Sequence, residues 1–219
     1  GSLRNCQLPS LIAASSNNGT LGIQPASGVV YSVSGRVDVG VDLGPDPAAP
    51  AAGGSRGVLN ISPGVTIFGS GGTDYIVVNR GSAINANGTD TQPIVMTSRQ
   101  SVQGLTNVDS IGQWGGLVVL GRAPISNCNA GGATLNSVTC VNQVEGTSAF
   151  MGGATLNDNS GQIRYLRLQH SGFEILPGNE LNGITLGGVG NNTIMNHIQV
   201  HNSSDDGIEI FGGTVNLAN

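Results

Sequence analysis

The densest run of carboxylates in the chain is Ser203-Ser204-Asp205-Asp206-Gly207-Ile208-Glu209. Calcium takes about six to eight oxygen ligands. Asp205, Asp206 and Glu209 would supply several of them, which makes this turn the candidate calcium site. Two carboxylates roughly 5 to 10 Å apart would instead suit glycoside hydrolysis. The same residues also make a plain turn, in which Asp accepts backbone N–H groups and Gly207 takes a positive φ. No second acidic motif accompanies them, so the turn reading takes precedence.

His170, His197 and His201 are the other titratable residues with chemical range. If His197 and His201 share a strand, their separation puts them on one face about 13 Å apart. That is too far to hold one metal ion together. No cysteine stands near them, and a Ser-His-Asp arrangement depends on tertiary geometry. Structural or surface roles suit such isolated histidines.

Three cysteines are present, Cys6, Cys128 and Cys140. The last two bracket a polar, glycine-containing stretch that reads as a protruding loop. Neither close Cys spacing nor partnered histidines suggest zinc, and a Cys128–Cys140 disulfide is favoured over free thiols. Closing that loop would remove roughly 3 kcal/mol of unfolded-chain freedom. It would also imply an oxidising compartment: periplasm, cell surface or medium. Cys6 is left free or paired outside this sequence.

The composition narrows the partners. Only 10% of the 219 residues are charged, and the net charge is −5. There is no lysine, while asparagine occurs 22 times and glycine 36 times. A phosphate-backbone ligand needs a basic footprint, so nucleic acid is a poor partner. No apolar run approaches the roughly 18 residues of a membrane-spanning helix. Gly1-Ser2 reads as a cloning remnant, with any signal peptide already removed.

The elements that must position these residues are short strands. Helical spacing is nearly absent, and glycine or asparagine interrupts every few residues. Val29–Val33, Tyr75–Val78, Leu117–Leu120, Ile194–Val200 and Gly207–Phe211 are among a dozen apolar-rich segments bounded by Gly, Asn, Asp, Ser or Pro. A sandwich or barrel wants longer strands and more aromatics than the eight present. A parallel β-helix wants brief strands, bends at Gly and Asn, and a period of roughly 20 to 25 residues. Stacked positions on adjacent coils lie about 4.8 Å apart. Like charges would repel there, whereas asparagine amides can form ladders. Glycine pairs such as Gly71-Gly72, Gly115-Gly116, Gly152-Gly153, Gly187-Gly188 and Gly212-Gly213 would permit the sharp bends.

The expected architecture is therefore all-β, a parallel β-helix solenoid of roughly seven to eight rungs. One domain spans 1–219, with 1–28 as an N-terminal cap region and 44–56 and 126–141 as surface loops. The chain stops inside what reads as a strand, so the expectation is either a longer protein cut short or a solenoid whose final rung is left open at its C-terminal end. Such an end exposes unpaired backbone and invites self-association.

Several stretches resemble the opening rungs of bacterial secreted β-helix proteins of the pectin-lyase-like superfamily. They are Ile61-Ser62-Pro63-Gly64-Val65-Thr66-Ile67, the run Tyr75 to Thr89, Gln92 to Ser98, and Trp114 to Ile125. The resemblance covers roughly 55–217. With the crossover rule, it implies a right-handed solenoid, exported or held at a cell surface. It implies little about activity, because the superfamily mixes lyases, hydrolases, adhesins and proteins without known activity.

Superfamily lyases use a Lys or Arg base near calcium. Lysine is absent here, and a guanidinium holds its proton above pH 12. Arg164 and Arg167 lie three apart and should face opposite sides of a strand. Trp114, the single tryptophan, suits a packing wedge better than a sugar platform. The functional expectation is thus an exported, non-enzymatic solenoid with a structural, adhesive or self-assembling role. The alternative is a calcium-dependent lyase, hydrolase or binder of glycans that uses the acidic turn at 205–209.

Overall fold

A computed structural model of the chain describes residues 3–129 and 131–219. Gly1 and Ser2, read above as a cloning remnant, lie outside the described residues. Strands dominate, and the only helices among the described residues are single turns at Ala14–Asn17 and Arg99–Val102.

Parallel strands stack on three faces. The first face holds Arg4–Gln7, Val29–Val33, Thr66–Gly69 and Ile94–Ser98, then the second halves of Gly161–Gln169 and Ile194–His201. The second holds Leu11–Ile12, Arg36–Val39, Tyr75–Val78, Gly116–Leu120, Ile184–Gly187 and Ile208–Phe211. The third holds Thr20–Ile23, Val58–Ile61 and Ala83–Asn87, the first halves of the two long strands, and Asn216–Ala218. This is the expected parallel β-helix, with six strands on each face where seven to eight rungs were expected. The missing rungs went into excursions at 40–57, 99–115, 121–160 and 170–183, which consume chain without adding a turn. The stretch read as a cap carries a strand on each face, so it is itself the first coil.

Inward positions align from coil to coil. Ile23, Ile61, Ala86, Ile163 and Met195 form one column on the third face. Val37, Ile76, Leu117 and Ile184 form another on the second. All are buried, and each large member contributes roughly 1.5–3 kcal/mol. A narrow bore filled by branched aliphatics explains why so few rings suffice. One step of the expected asparagine stacking is present, with Asn85 Nδ2 donating to Asn60 Oδ1 of the preceding coil at 2.8 Å. Four of the five glycine pairs include a positive φ. Gly71-Gly72 does not, and Gly72 lies beneath the Phe173 ring.

Trp114 is fully buried and donates from Nε1 to the Gln169 carbonyl at 2.8 Å. A Cβ on Gly69 would sit 2.4 Å from Trp114 Cβ, so that glycine is what admits the indole. Trp114 is thus a packing wedge.

The outward side of the second face is not solvent. Tyr75, Val77, Val118 and Leu120 point away from the bore into a second core with Ile125, Cys140, Val144, Ala149, Met151 and Leu181. The chain after Gly121 folds back over this face, and Cys128–Cys140 is a disulfide with Cα atoms 4.8 Å apart. The loop expected at 126–141 is largely exposed, yet its Cys140 is buried in that core. Cys6 is free and half-buried.

Candidate functional site

The acidic turn joins the last strands of the first and second faces. Asp205 and Asp206 are exposed. Asp205 Oδ1 accepts from the Asp206 amide at 2.8 Å, and the Asp206 carbonyl accepts from the Gly183 amide at 2.9 Å. The turn reading therefore describes its local geometry, with one correction. The left-handed residue is Asn202, at φ 56°, and not Gly207. Glu209 lies on the following strand, where its Oε2 accepts from buried Asn182 Nδ2 at 2.5 Å. Asp205, Asp206 and Glu209 do not converge as a calcium ligand set. No group of three or more His, Cys, Asp or Glu among the described residues is placed to hold a metal ion.

What the tertiary structure assembles is wider. The hairpin Phe173–Leu176/Asn179–Leu181 sets Glu174 directly opposite Glu180. Partial desolvation, then Asp205, Glu145 and Glu174, pushes the Glu180 carboxyl above its ordinary value. Burial raises Glu209 too. The Asn182 bond opposes that rise, while Glu145, Asp206 and Asp205 add to it. Glu145 and Asp205 thus act on both Glu180 and Glu209, Glu174 acts on Glu180 and Asp206 on Glu209, and none of the groups acting on these two is basic. All four glutamates of the chain are in this set, and no arginine follows Arg167 in the sequence.

Beside these carboxylates lies a cleft of about 490 Å³ between the disulfide loop, the hairpin Asn142–Gln143/Phe150–Met151 and the strand Ile208–Phe211. Its polar lining is amide and hydroxyl: Asn127, Asn142, Gln143, Asn179, Ser126 and Thr147. Met151 and Phe211 supply apolar wall, and Glu145 the one carboxylate. Three amides are held by local backbone. Gln143 Nε2 donates to the Thr147 carbonyl at 2.9 Å, Asn142 Oδ1 accepts from the Gln143 amide, and Asn179 Oδ1 accepts from the Gly146 amide at 2.7 Å. Gly146 turns at φ 70°, where a side chain would meet Leu181. Fixed amides of this kind present both donors and acceptors to a polar ligand.

The histidines fall elsewhere. Ile194–His201 bends at His197, which has φ 55°, so His197 and His201 lie on different faces rather than the one expected. His197 stacks on Tyr165 with ring centroids 4.2 Å apart. His201 meets buried His170 edge-on at 6.0 Å. Tyr165, at φ 49°, makes the same corner between Arg164 and Arg167. Those arginines therefore sit on adjacent faces of the solenoid, not on opposite sides of one strand. The cleft itself was missed by sequence reasoning. Its sign was available in the unbroken apolar runs Tyr75–Val78 and Leu117–Leu120, since a strand wet on one side alternates.

Fold and cleft together define a parallel β-helix with one face roofed by its own loops. The family model for the pectate-lyase-like beta helix domain matches residues 51–219, and the chain belongs to that family. No curated protein and no solved structure matches it. No helix among the described residues is long and apolar enough to cross a membrane.

Proposed function

We propose that the protein is an extracellular β-solenoid that binds glycan in the roofed cleft, as an adhesive or recognition surface rather than as an enzyme. The observation that carries this reading is the lining of the cleft, where several pre-oriented amides and two hydroxyls surround an apolar wall ending in Phe211. Sugar rings present hydroxyl rims and C–H faces, and such a lining meets both. The disulfide beside the cleft supports an oxidising compartment. Pre-orientation lowers the ordering cost of binding. The test is calorimetric titration with neutral oligosaccharides. Binding that falls in Asn142→Ala/Asn179→Ala supports the reading, and affinity untouched by that pair refutes it.

The acidic turn carries a second reading, in which the carboxylates of an acidic glycan complete the coordination of a calcium ion that Asp205, Asp206 and Glu209 do not enclose by themselves. What speaks for it is the acidic surroundings of Glu180 and Glu209, whose charged neighbours are Glu145, Glu174, Asp205 and Asp206 and include no basic group. Calcium titration in the presence of galacturonate oligomers then gives a heat of binding in the native chain and none in Asp205→Asn/Asp206→Asn. No heat with the native chain retires this reading.

A further inference from the structure

A second cleft, of about 520 Å³, opens on the other side of the same hairpin. Here Arg36 Nε donates to both Asp38 oxygens at 3.0 Å and Nη2 to Oδ1 at 2.7 Å, while Asn79 Nδ2 reaches that oxygen at 2.8 Å. Asp42 is taken by Arg80 Nε at 2.9 Å and Nη2 at 2.6 Å. Phe150 and Val41 also line the space, 38% and 37% exposed.

The two clefts share one wall. Gln143 lines the first, Phe150 lines the second, and the two are directly opposite in the hairpin register. Thr147 and Ser148 at the tip also line one cleft each, and both hydroxyls accept from Arg36 Nη1 at 3.0 Å. The divide is therefore about one strand spacing, near 4.8 Å, and Arg36 fixes its height.

We propose that the second cleft is a saccharide subsite, and that one uncharged glycan chain lies astride the hairpin and fills both. The charge class follows from the partners. An anion entering the second cleft finds its one lining arginine, Arg36, already neutralised by Asp38, and a cation finds Asp38 and Asp42 already neutralised by Arg36 and Arg80. What remains is a set of planar polar groups locked by one another beside an exposed ring and a valine. Glu145 in the lining of the first cleft, with Glu180 and Glu209 within its electrostatic reach, disfavours a polyanion. This inference rests on the reading of the first cleft as a glycan site, and it adds the second subsite and the uncharged class.

The test is calorimetry on the full chain with gluco-, manno-, galacto- and xylo-configured neutral oligosaccharides from disaccharide to hexasaccharide. Galacturonate oligomers of equal length serve as the charged comparison. In one neutral series the hexasaccharide binds one per chain, on the order of a hundredfold more tightly than the disaccharide, because linked subsites share one ligand. Phe150→Ala removes that gain and spares the disaccharide, whereas Phe150→Tyr keeps the gain. The tyrosine variant decides the matter if the alanine variant does not fold, since tighter binding of the long chain must then survive. Loss of hexasaccharide affinity in Asn142→Ala/Asn179→Ala with none in Phe150→Ala overturns the second subsite and leaves the first standing. Galacturonate binding above the neutral series overturns the charge class. Absence of binding by every neutral oligosaccharide overturns both readings.

Discussion

Asp38 and Glu209 occupy the same outward column of the second face, linked through Val77, Val118 and Thr185. They are four strand spacings apart, about 19 Å. At one end Asp38 is clasped by Arg36 and Asn79, and Asp42 nearby by Arg80. Both ion pairs among the described residues lie at this end. Burial disfavours the Arg36 charge, but its bond and attraction to Asp38 outweigh that and hold its pKa above the ordinary value. At the other end Glu209 has a neutral amide for a partner and only carboxylates for charged company. A repeated position thus has two fates: where the loops bring arginine it becomes a fastener, and where they bring acid it becomes a source of repulsion. The fastened end pairs its charges, while at the acidic end desolvation and neighbouring acids favour the protonated forms of Glu180 and Glu209.

The comparison can be broken most forcefully at the staple beside the acidic end. Replacing both Cys128 and Cys140 by serine should cost about 3 kcal/mol, the chain-entropy value for a loop of this size. Urea unfolding of the double variant against the oxidised native chain measures it. At the fastened end, Arg80→Ala strands Asp42 and removes the bond to the Gly152 carbonyl. Arg80 is 5% exposed but Asp42 is 28% exposed, so solvent shares the burden and the loss should be near 2 kcal/mol, below the usual cost of breaking a fully buried pair. The same urea series reads it, and a loss within error of zero would mean that the pair does not hold the 40–57 loop.

Smaller effects sharpen the contrast. Glu180→Gln/Glu209→Gln should raise the melting midpoint at neutral pH, whereas Asp38→Asn should lower it. Equal signs would erase the distinction between the two ends. The first effect should also depend on pH. Glu180 and Glu209 have raised pKa values in the fold, so the folded state binds their protons more tightly than the unfolded chain. Their contribution is fully present below the ordinary value of 4.5 and is lost as pH rises through the raised values. The midpoint difference between native chain and double variant should therefore grow from low pH to neutral pH. Thermal melts at matched ionic strength test this, and a difference independent of pH would show that repulsion is not its cause.

Much of the solenoid was legible in the chain. Tyr75–Val78 was read residue for residue, and the strands at 29–33, 94–98, 184–187 and 208–211 within a residue or so, because apolar runs punctuated by Gly and Asn leave few other options. Arg4–Gln7, Leu11–Ile12 and Thr20–Ile23 were not legible. They are too short and too polar to stand out, and they are strands because the next coil offers them a ladder. The disulfide could be read from loop composition. The alternation rule failed at His197 and Tyr165, where one residue in a left-handed conformation turns a single long strand onto two faces.

The amino-acid sequence alone determined the all-β solenoid, the Cys128–Cys140 pairing and the low charge of the surface. These follow from local pattern and composition, which act residue by residue. Only the tertiary structure decided which carboxylates would meet arginine and which would meet one another. Glu145, Glu180 and Glu209 are separated by 35 and 29 residues, and no spacing rule relates them. They come together because the excursions fold back over one face, and electrostatic energy depends on distance through space, not along the chain. The two clefts arise in the same way, as the gaps left on either side of a hairpin laid across that face.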